Sequence, residues 1–312
     1  MAIITKEALK NALDEAQRII LTVHVHPDGD AIGSMVAFYE ALSNEGKEVT
    51  MVVDDTVPAK YSFLAQVAHI KQPSEVLDWQ ADMLLVLDAS TFERIGKVGS
   101  LCKAPIFNID HHISNSQFAD SLYLCPEFAA TGEILTYLCD SWGWPITPSM
   151  ANALYMAIAT DCGFFRFSNT TEQTLRMGAL CVANGAQPNI VSEHVEVTTA
   201  ARIEVMKEAL QTIQFFKAGR VAIIALDEAL MAKVGDDTDG YVDLIRNVDT
   251  VDIAILLKAV DAHTTRVSLR AKVTDVNAIA NQFGGGGHVK AAGCTINANI
   301  QGAIEHLLAV IA

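Results

Sequence analysis

Short apolar runs that each end on a charged or turn-forming residue constrain this chain more than any other feature. Ile19–His24, Val49–Val53, Met83–Asp88, Ile106–Ile109 and Leu122–Leu124 read as strands. Between them, Ala31–Glu45 reads as a helix stopped by Gly46, and Thr131–Asp140, Ser149–Thr160 and Glu172–Asn184 follow helical spacing with Gly185 as a stop. Apolar runs without alternation, separated by helical stretches, predict parallel strands covered on both faces, so the first two-thirds is expected to be a doubly wound, mainly parallel α/β sheet. From Val197 the spacing predicts a helix to Phe216, then strands at Val221–Leu226, Asp252–Val260 and Thr264–Ala271, a helix at Val276–Phe283 and four glycines. With 312 residues and roughly 100–200 residues per domain, two domains are expected. Residues 1–190 would form the first, 191–218 a helical linker and 219–312 a smaller α/β domain, with a cleft expected between the two domains.

The balance of charge narrows the partners. A formal net charge of −15 disfavours long duplex nucleic acid, whose binding rests on Lys and Arg neutralising many phosphates. It leaves small anions open, because metal ions in one cleft reverse the local field. No apolar run approaches the roughly 20 residues a bilayer requires, and the charged first segment lacks the apolar stretch of a secretory signal. Cys102, Cys125, Cys139, Cys162, Cys181 and Cys294 include no C-x-x-C pair, which fits reduced thiols in a cytoplasmic protein.

The chemistry is concentrated at strand ends. His24-Val-His26-Pro-Asp28-Gly-Asp30 follows one strand and precedes a helix, the edge where open α/β sheets bind ligands. Asp30 could simply cap that helix, which would leave the neighbouring acid and imidazoles unexplained. Asp88 closes the run Met83–Leu87; alone it could be a turn former. Asp110-His111-His112 closes the next strand, with a carboxylate placed to orient an imidazole, and Asp161 ends the helical run Ala151–Thr160. Together His24, Asp28, Asp30, Asp88, His111 and Asp161 offer two nitrogens and four carboxylates, a set that suits Mn²⁺ or Mg²⁺ better than thiolate-bound zinc. Two such ions could hold a bridging hydroxide and stabilise an in-line displacement at phosphorus.

In order, His24-x-x-x-Asp28-x-Asp30, Asp88, Asp110-His111-His112 and Thr160-Asp161 resemble the motifs of DHH-family phosphoesterases. Gly284-Gly285-Gly286-Gly287-His288 with Ala291-Ala292-Gly293 resembles the glycine signature of that family's DHH-associated C-terminal domain. Length and layout are similar to the family's bifunctional oligoribonucleases and 3′-phosphoadenosine-5′-phosphate phosphatases. The resemblance implies one metal on His24, Asp28, Asp88 and Asp161 and another on Asp30, Asp88 and His111, with Mn²⁺ preferred over Mg²⁺ or Co²⁺. It implies that His112 faces the substrate phosphate or helps the leaving oxygen, so that His112, Asp88 and Asp110 form the catalytic set. His26 and Cys162 depart from the family's usual Asn and Thr; His26 is expected to support the ligands or line the cleft.

In the second domain, alternation places Arg266, Ser268 and Arg270 on one strand face. Alternation alone favours ordinary solvated residues; the resemblance favours Arg270 as a phosphate or base contact. Gly286 and Gly287 with His288 and Lys290 suggest a nest for an anion, with Asn115 and Ser168 as further substrate candidates. Phe164, Phe165 and Phe167 could stack a base but read more readily as packing. The expected activity is metal-dependent hydrolysis, by a metal-bridging hydroxide, of short single-stranded RNA or DNA or of 3′-phosphoadenosine 5′-phosphate. A cyclic di-AMP or linear dinucleotide phosphodiesterase, a pyrophosphatase or exopolyphosphatase, and a non-catalytic nucleotide sensor remain alternatives, and a homodimer remains open.

Overall fold

The computed structural model describes residues 2–76, 80–101, 103–235, 238 and 240–311. Two compact units divide the chain at Val197/Thr198. The first contains β1 (Ala2–Ile3), α1 (Lys6–Glu15), β2 (Arg18–Thr22), α2 (Gly29–Asn44), β3 (Glu48–Met51), β4 (Met83–Leu87), β5 (Ile106–Asp110), β6 (Ser121–Leu124), α3 (Thr131–Trp142), α4 (Pro148–Asp161), α5 (Glu172–Ala183) and α6 (Pro188–Val195).

Its sheet runs β1-β6-β5-β4-β2-β3, with every pairing parallel. The run Met83–Leu87 is buried at every position, as a strand covered on both faces must be. One face carries a thick helical layer in which α2 and α4 pack side by side, burying Met35, Phe38, Leu154 and Met156. Ile20, Leu84, Val86, Ile95 and Val98 form the core on the other face, where a 3₁₀ segment at Phe92–Ser100 provides part of the cover. From β2 the chain passes outward to β3 and then returns to the opposite side at β4. This reversal of strand order opens a crevice at the carboxyl ends of β2 and β4. The fold therefore has its ligand-binding edge where His24 and Asp88 emerge.

The second unit contains α7 (Ala200–Leu210), β7 (Gln214–Phe216), β8 (Val221–Leu226), α8 (Glu228–Val234), α9 (Tyr241–Arg246), β9 (Ile253–Asp261), β10 (Thr264–Ala271), α10 (Val276–Asn281), β11 (Gly286–His288), β12 (Ala291–Ile296) and α11 (Ile300–Val310). Its order is β11-β12-β10-β9-β8-β7, with only β8 and β9 parallel. Two of its elements differ from the sequence reading. The helix expected from Val197 to Phe216 is shorter, because Gln214–Phe216 pairs with β8 as an edge strand. The glycine run does not stay an open loop: Gly286–His288 pairs with β12 as the opposite edge. Cys125, Cys139, Cys162, Cys181 and Cys294 are buried and unbridged, while Cys102 lies outside the described residues. No helix among the described residues is long and apolar enough to cross a membrane.

Candidate metal centre

Each acid or imidazole at the crevice is delivered by the end of a regular element. His24 and Asp28 lie on the segment leaving β2, Asp88 directly follows β4, Asp110 ends β5, and Asp161 is the last residue of α4. Asp88 takes a left-handed backbone, φ 56°, a conformation that side-chain-bearing residues rarely adopt and that recurs at functional sites. Its N–H still donates to Ile109 O at 3.0 Å, so the strand ladder holds the residue in place while its carboxylate turns into the crevice.

The imidazoles are fixed through their inner nitrogens. His24 Nδ1 donates to Val25 O at 2.8 Å, and Nε2 faces Asp28 Oδ2 at 3.6 Å and Asp88 Oδ2 at 3.5 Å. His111 Nδ1 donates to Phe128 O at 3.3 Å. Its Nε2 faces Asp161 Oδ2 at 3.3 Å, Asp88 Oδ1 at 3.6 Å and Asp30 Oδ2 at 3.9 Å. A carbonyl on Nδ1 leaves the Nε2 lone pair for a cation, the usual arrangement around ligating histidines.

Asp30 and Asp28 divide the work differently from a simple cap. Asp28 caps α2, with Oδ1 accepting from Ala31 N at 3.0 Å. Asp30 is fully buried and reaches across to α3: Oδ2 accepts from Thr131 N at 2.7 Å, and Oδ1 from Gly132 N at 2.8 Å and Ser34 Oγ at 3.1 Å. The Thr131 hydroxyl donates to Asp88 Oδ1 at 3.1 Å. One helix N-terminus thus steadies two carboxylates, helped by its dipole.

Burial and mutual charge shift acids and one imidazole of the centre in opposite directions. Burial, followed by the charges of neighbouring carboxylates, raises Asp30 and Asp88 well above the usual range. Burial and then Asp28 raise Asp161 to about 7. Burial and the charge of His112 lower His111 to about 4. Crowded, dehydrated carboxylates beside neutral imidazoles are a donor set for divalent cations.

Among the described residues, three groups have ligand atoms within 4.8 Å of one another: His24, Asp28 and Asp88; Asp30, His111 and Asp161; and Asp88, His111 and His112. The residues present therefore fit a metal centre. Asp161 also stands within reach of the Asp30 and His111 ligand atoms.

Asp110 supports the centre from behind. His112 Nδ1 donates to its Oδ1 at 2.7 Å, His111 N to the same oxygen at 2.9 Å, and Asn115 Nδ2 to Oδ2 at 2.5 Å. Burial raises the Asp110 carboxyl, but the His112 bond and charge and the Asn115 bond outweigh it and leave it lowered. Asn115 is buried and also donates to Asn108 Oδ1 at 2.9 Å. Its amide is spent inside the protein, which corrects its expected place among the substrate contacts.

The His26 side chain is 91% exposed and pairs with Asp55 Oδ2 at 3.0 Å, and it belongs to none of the three ligand groups. Ser168 is exposed. Cys162 is buried, and its Sγ accepts from Phe165 N at 3.3 Å. Phe165 packs against Tyr155 with ring centroids 5.8 Å apart, which is core packing. Sequence reasoning missed Thr131, Gly132, Ser34 and the Phe128 carbonyl, whose roles depend on contacts distant in sequence.

In the second unit, register pairs His288 with Ala291 and Ala291 with Arg270, so His288 and Arg270 lie in one cross-strand row. Arg266 lies on the same strand face as Arg270, in register with Thr295. Gly287 has φ 151°, and a Cβ there would sit 2.5 Å from Ala291 O, so only glycine fits that edge.

Known proteins match this chain at both ends. The DHH family, N-terminal domain, matches residues 18–158, and the DHHA1 domain matches residues 229–312. The bifunctional oligoribonuclease and PAP phosphatase NrnA of Thermus thermophilus is 33% identical over 296 residues, covering 94% of this chain and 89% of the relative. The Bacillus subtilis protein of the same name is 24% identical, with 89% of each chain covered. The solved structure of an exopolyphosphatase-related protein from Bacteroides fragilis superposes with a TM-score of 0.87 at 22% identity, covering 97% of this chain and 94% of that one. At 12% identity, RecJ from Thermus thermophilus, in complex with Mn²⁺, gives a TM-score of 0.52 over 97% of this chain and 53% of RecJ. With these matches joined to the strand-end acids and imidazoles, the chain belongs to the DHH family, as a metal-dependent phosphoesterase whose DHH domain is followed by a DHHA1 domain.

Proposed function

We propose that the chain hydrolyses very short oligonucleotides and 3′-phosphoadenosine 5′-phosphate, using two divalent ions with Mn²⁺ preferred. The observation that carries this reading is the position of Asp88, 3.5 Å from His24 Nε2 and 3.6 Å from His111 Nε2. One carboxylate stands between two ligand groups, as a dinuclear phosphoesterase requires. The substrates follow the names of the relatives, bifunctional oligoribonuclease and PAP phosphatase. Mn²⁺ follows the mixed imidazole and carboxylate donors and its presence in the RecJ structure.

His24, Asp28 and Asp88 would hold one ion, and Asp30, Asp88, His111 and Asp161 the other. Bound, such ions polarise a phosphoryl oxygen and acidify water. Asp110 accepts from His112 Nδ1 and fixes the ring, leaving Nε2 for the substrate; as an imidazolium His112 would give its Nε2 proton to the leaving oxygen. Arg270, His288, Gly286 and Gly287, with Arg266 beside them, grip the nucleotide's remaining phosphate or base. The unbridged cysteines support a reducing, cytoplasmic setting, and the net charge of −15 supports small substrates over long duplexes.

Product release in Mn²⁺ from 3′-phosphoadenosine 5′-phosphate, a ladder of short and long RNAs, cyclic di-AMP and pyrophosphate tests this, with Asp88→Ala as the contamination control. Turnover concentrated on the bisphosphate and the shortest RNAs, absent in the variant, is expected. Preference for cyclic di-AMP or pyrophosphate would reassign the substrate, and binding without turnover would indicate a sensor.

A further inference from the structure

The first unit has four arginines, and three are engaged. Arg18 pairs with Glu48 at 3.1 Å, Arg176 with Glu172 at 2.8 Å, and Arg166 Nε donates to Gly163 O at 2.7 Å. Arg94 is the exception. Its guanidinium has no hydrogen bond or ion pair among the described residues, although the residue is half-buried. Guanidinium groups removed from bulk water are ordinarily matched to an anion, so an unmatched one beside a catalytic crevice is an open position for a ligand.

The backbone fixes where Arg94 stands. It follows Asp88 by six residues, in the 3₁₀ segment that covers the sheet. Its carbonyl accepts from Val25 N at 2.7 Å, stitching this segment to the stretch that carries His24 and Asp28. Arg94 remains more than an ion-pair distance of 4.0 Å from every described carboxylate. The segment that carries Arg94 is therefore tied to the rim of the centre, while its guanidinium stays unneutralised.

Charge balance gives the position a use. Asp28, Asp30, Asp88 and Asp161 carry four negative charges when ionised, which two divalent ions offset and no more. A phosphate ester adds one or two further negative charges and gains more as its leaving oxygen departs. A cation supplied by the protein, planar and able to bind two oxygens at once, suits that load.

We propose that Arg94 is a phosphate-binding residue of the DHH domain, its guanidinium engaging the non-bridging oxygens of the phosphate that is cleaved at the centre. This rests on the phosphoesterase reading of the same centre. Arg94 is distinct from the Arg270 and His288 grip, which lies in the other unit.

Arg94→Ala, Arg94→Lys and, as a control, Arg176→Ala separate the outcomes. Tungstate binding is followed by calorimetry with Ca²⁺ in place of the catalytic ion, Mn²⁺ binding is titrated directly, and steady-state hydrolysis of 3′-phosphoadenosine 5′-phosphate is measured. For Arg94→Ala we expect tungstate affinity to fall by about 10-fold or more and kcat/KM by roughly 100-fold. Mn²⁺ affinity should stay unchanged, and Arg94→Lys should recover part of each loss because charge is kept while the fork is lost. The control should match the native protein. Native tungstate binding and kcat/KM in Arg94→Ala would overturn the proposal, as would losses that track weakened Mn²⁺ binding, since the residue would then only brace the loop. Absence of hydrolysis in the native protein would defeat the phosphoesterase reading and leave the tungstate comparison to decide Arg94 as an anion site.

Discussion

Asp30 sits in the first turn of α2 yet binds the first N–H of another helix, accepting from Thr131 N at 2.7 Å. Thr131 in turn donates its hydroxyl to Asp88 Oδ1 at 3.1 Å. Two carboxylates, one from the start of α2 and one from the end of β4, are thus held by a single residue of α3.

Thr131→Val keeps the backbone bond to Asp30 and removes the hydroxyl that holds Asp88. Outer groups of this kind are typically worth about 10–100-fold in metal affinity. Mn²⁺ titration followed by calorimetry should show weakening in that range, with kcat falling alongside at limiting metal and largely recovered at saturation. Unchanged Mn²⁺ affinity would mean that the backbone bond alone suffices.

Asp110→Asn retains the shape of the residue behind His112 but loses the charge that holds Nδ1–H. We expect kcat to fall by roughly 100-fold, as is typical when a general acid loses its orientation, while Mn²⁺ affinity changes little. Stopped turnover with wholly lost metal binding would place Asp110 among the ligands instead.

Without metal, stability should fall as pH rises. Asp161 titrates near 7 in the folded protein and near 4 unfolded, so between those values the folded state holds more protons and loses ground with rising pH. Asp30 and Asp88, also raised, add to the same slope. His111, lowered to about 4, opposes it between about 4 and 6.5, but as one group against three. Thermal midpoints of metal-free protein should therefore decline from about pH 5 to pH 7.5. Saturating Mn²⁺ should reverse the trend, and Asp161→Asn should flatten the metal-free slope.

A methyl group at position 132 has nowhere to go. A Cβ on Gly132 would lie 2.3 Å from the Ala157 Cβ of α4, and overpacking of this kind costs about 1–3 kcal/mol. Gly132→Ala should lower the denaturation midpoint accordingly and also weaken Mn²⁺ binding, because its N–H holds Asp30 Oδ1. Native stability would show that α3 and α4 can part without cost.

Most of the first unit could be read from sequence because its signals are local. A buried strand such as Met83–Leu87 is one unbroken apolar run, and the residue that ends it inherits a position on the carboxyl edge. That logic placed His24, Asp88 and His111 at strand ends, while Asp161 followed from the end of a helical run. It gave no distances among them: Asp161 reaches Asp30 and His111 because α4 runs beside α2 and ends at the crevice, a relation between distant segments. Thr131 and the Phe128 carbonyl carry no chemical signature of their own. Asn115 looked available for substrate because its three internal contacts depend on the folding of β5 against β4. At Gln214–Phe216, helical spacing continued past the helix end, and pairing with β8 prevailed over it.

The crevice is assembled from segments that are synthesised far apart in time. His24 and Asp28 leave the ribosome with the first strands, whereas Asp161 follows only at the end of α4, so a chain halted before α4 would lack the last of the crowded acids. Ion capture therefore cannot guide the early pairing of β2 with β3. It acts as a late lock on a unit whose strands have already found their order, so metal starvation would leave behind a correctly threaded protein with four crowded acids, more prone to local opening than to misfolding.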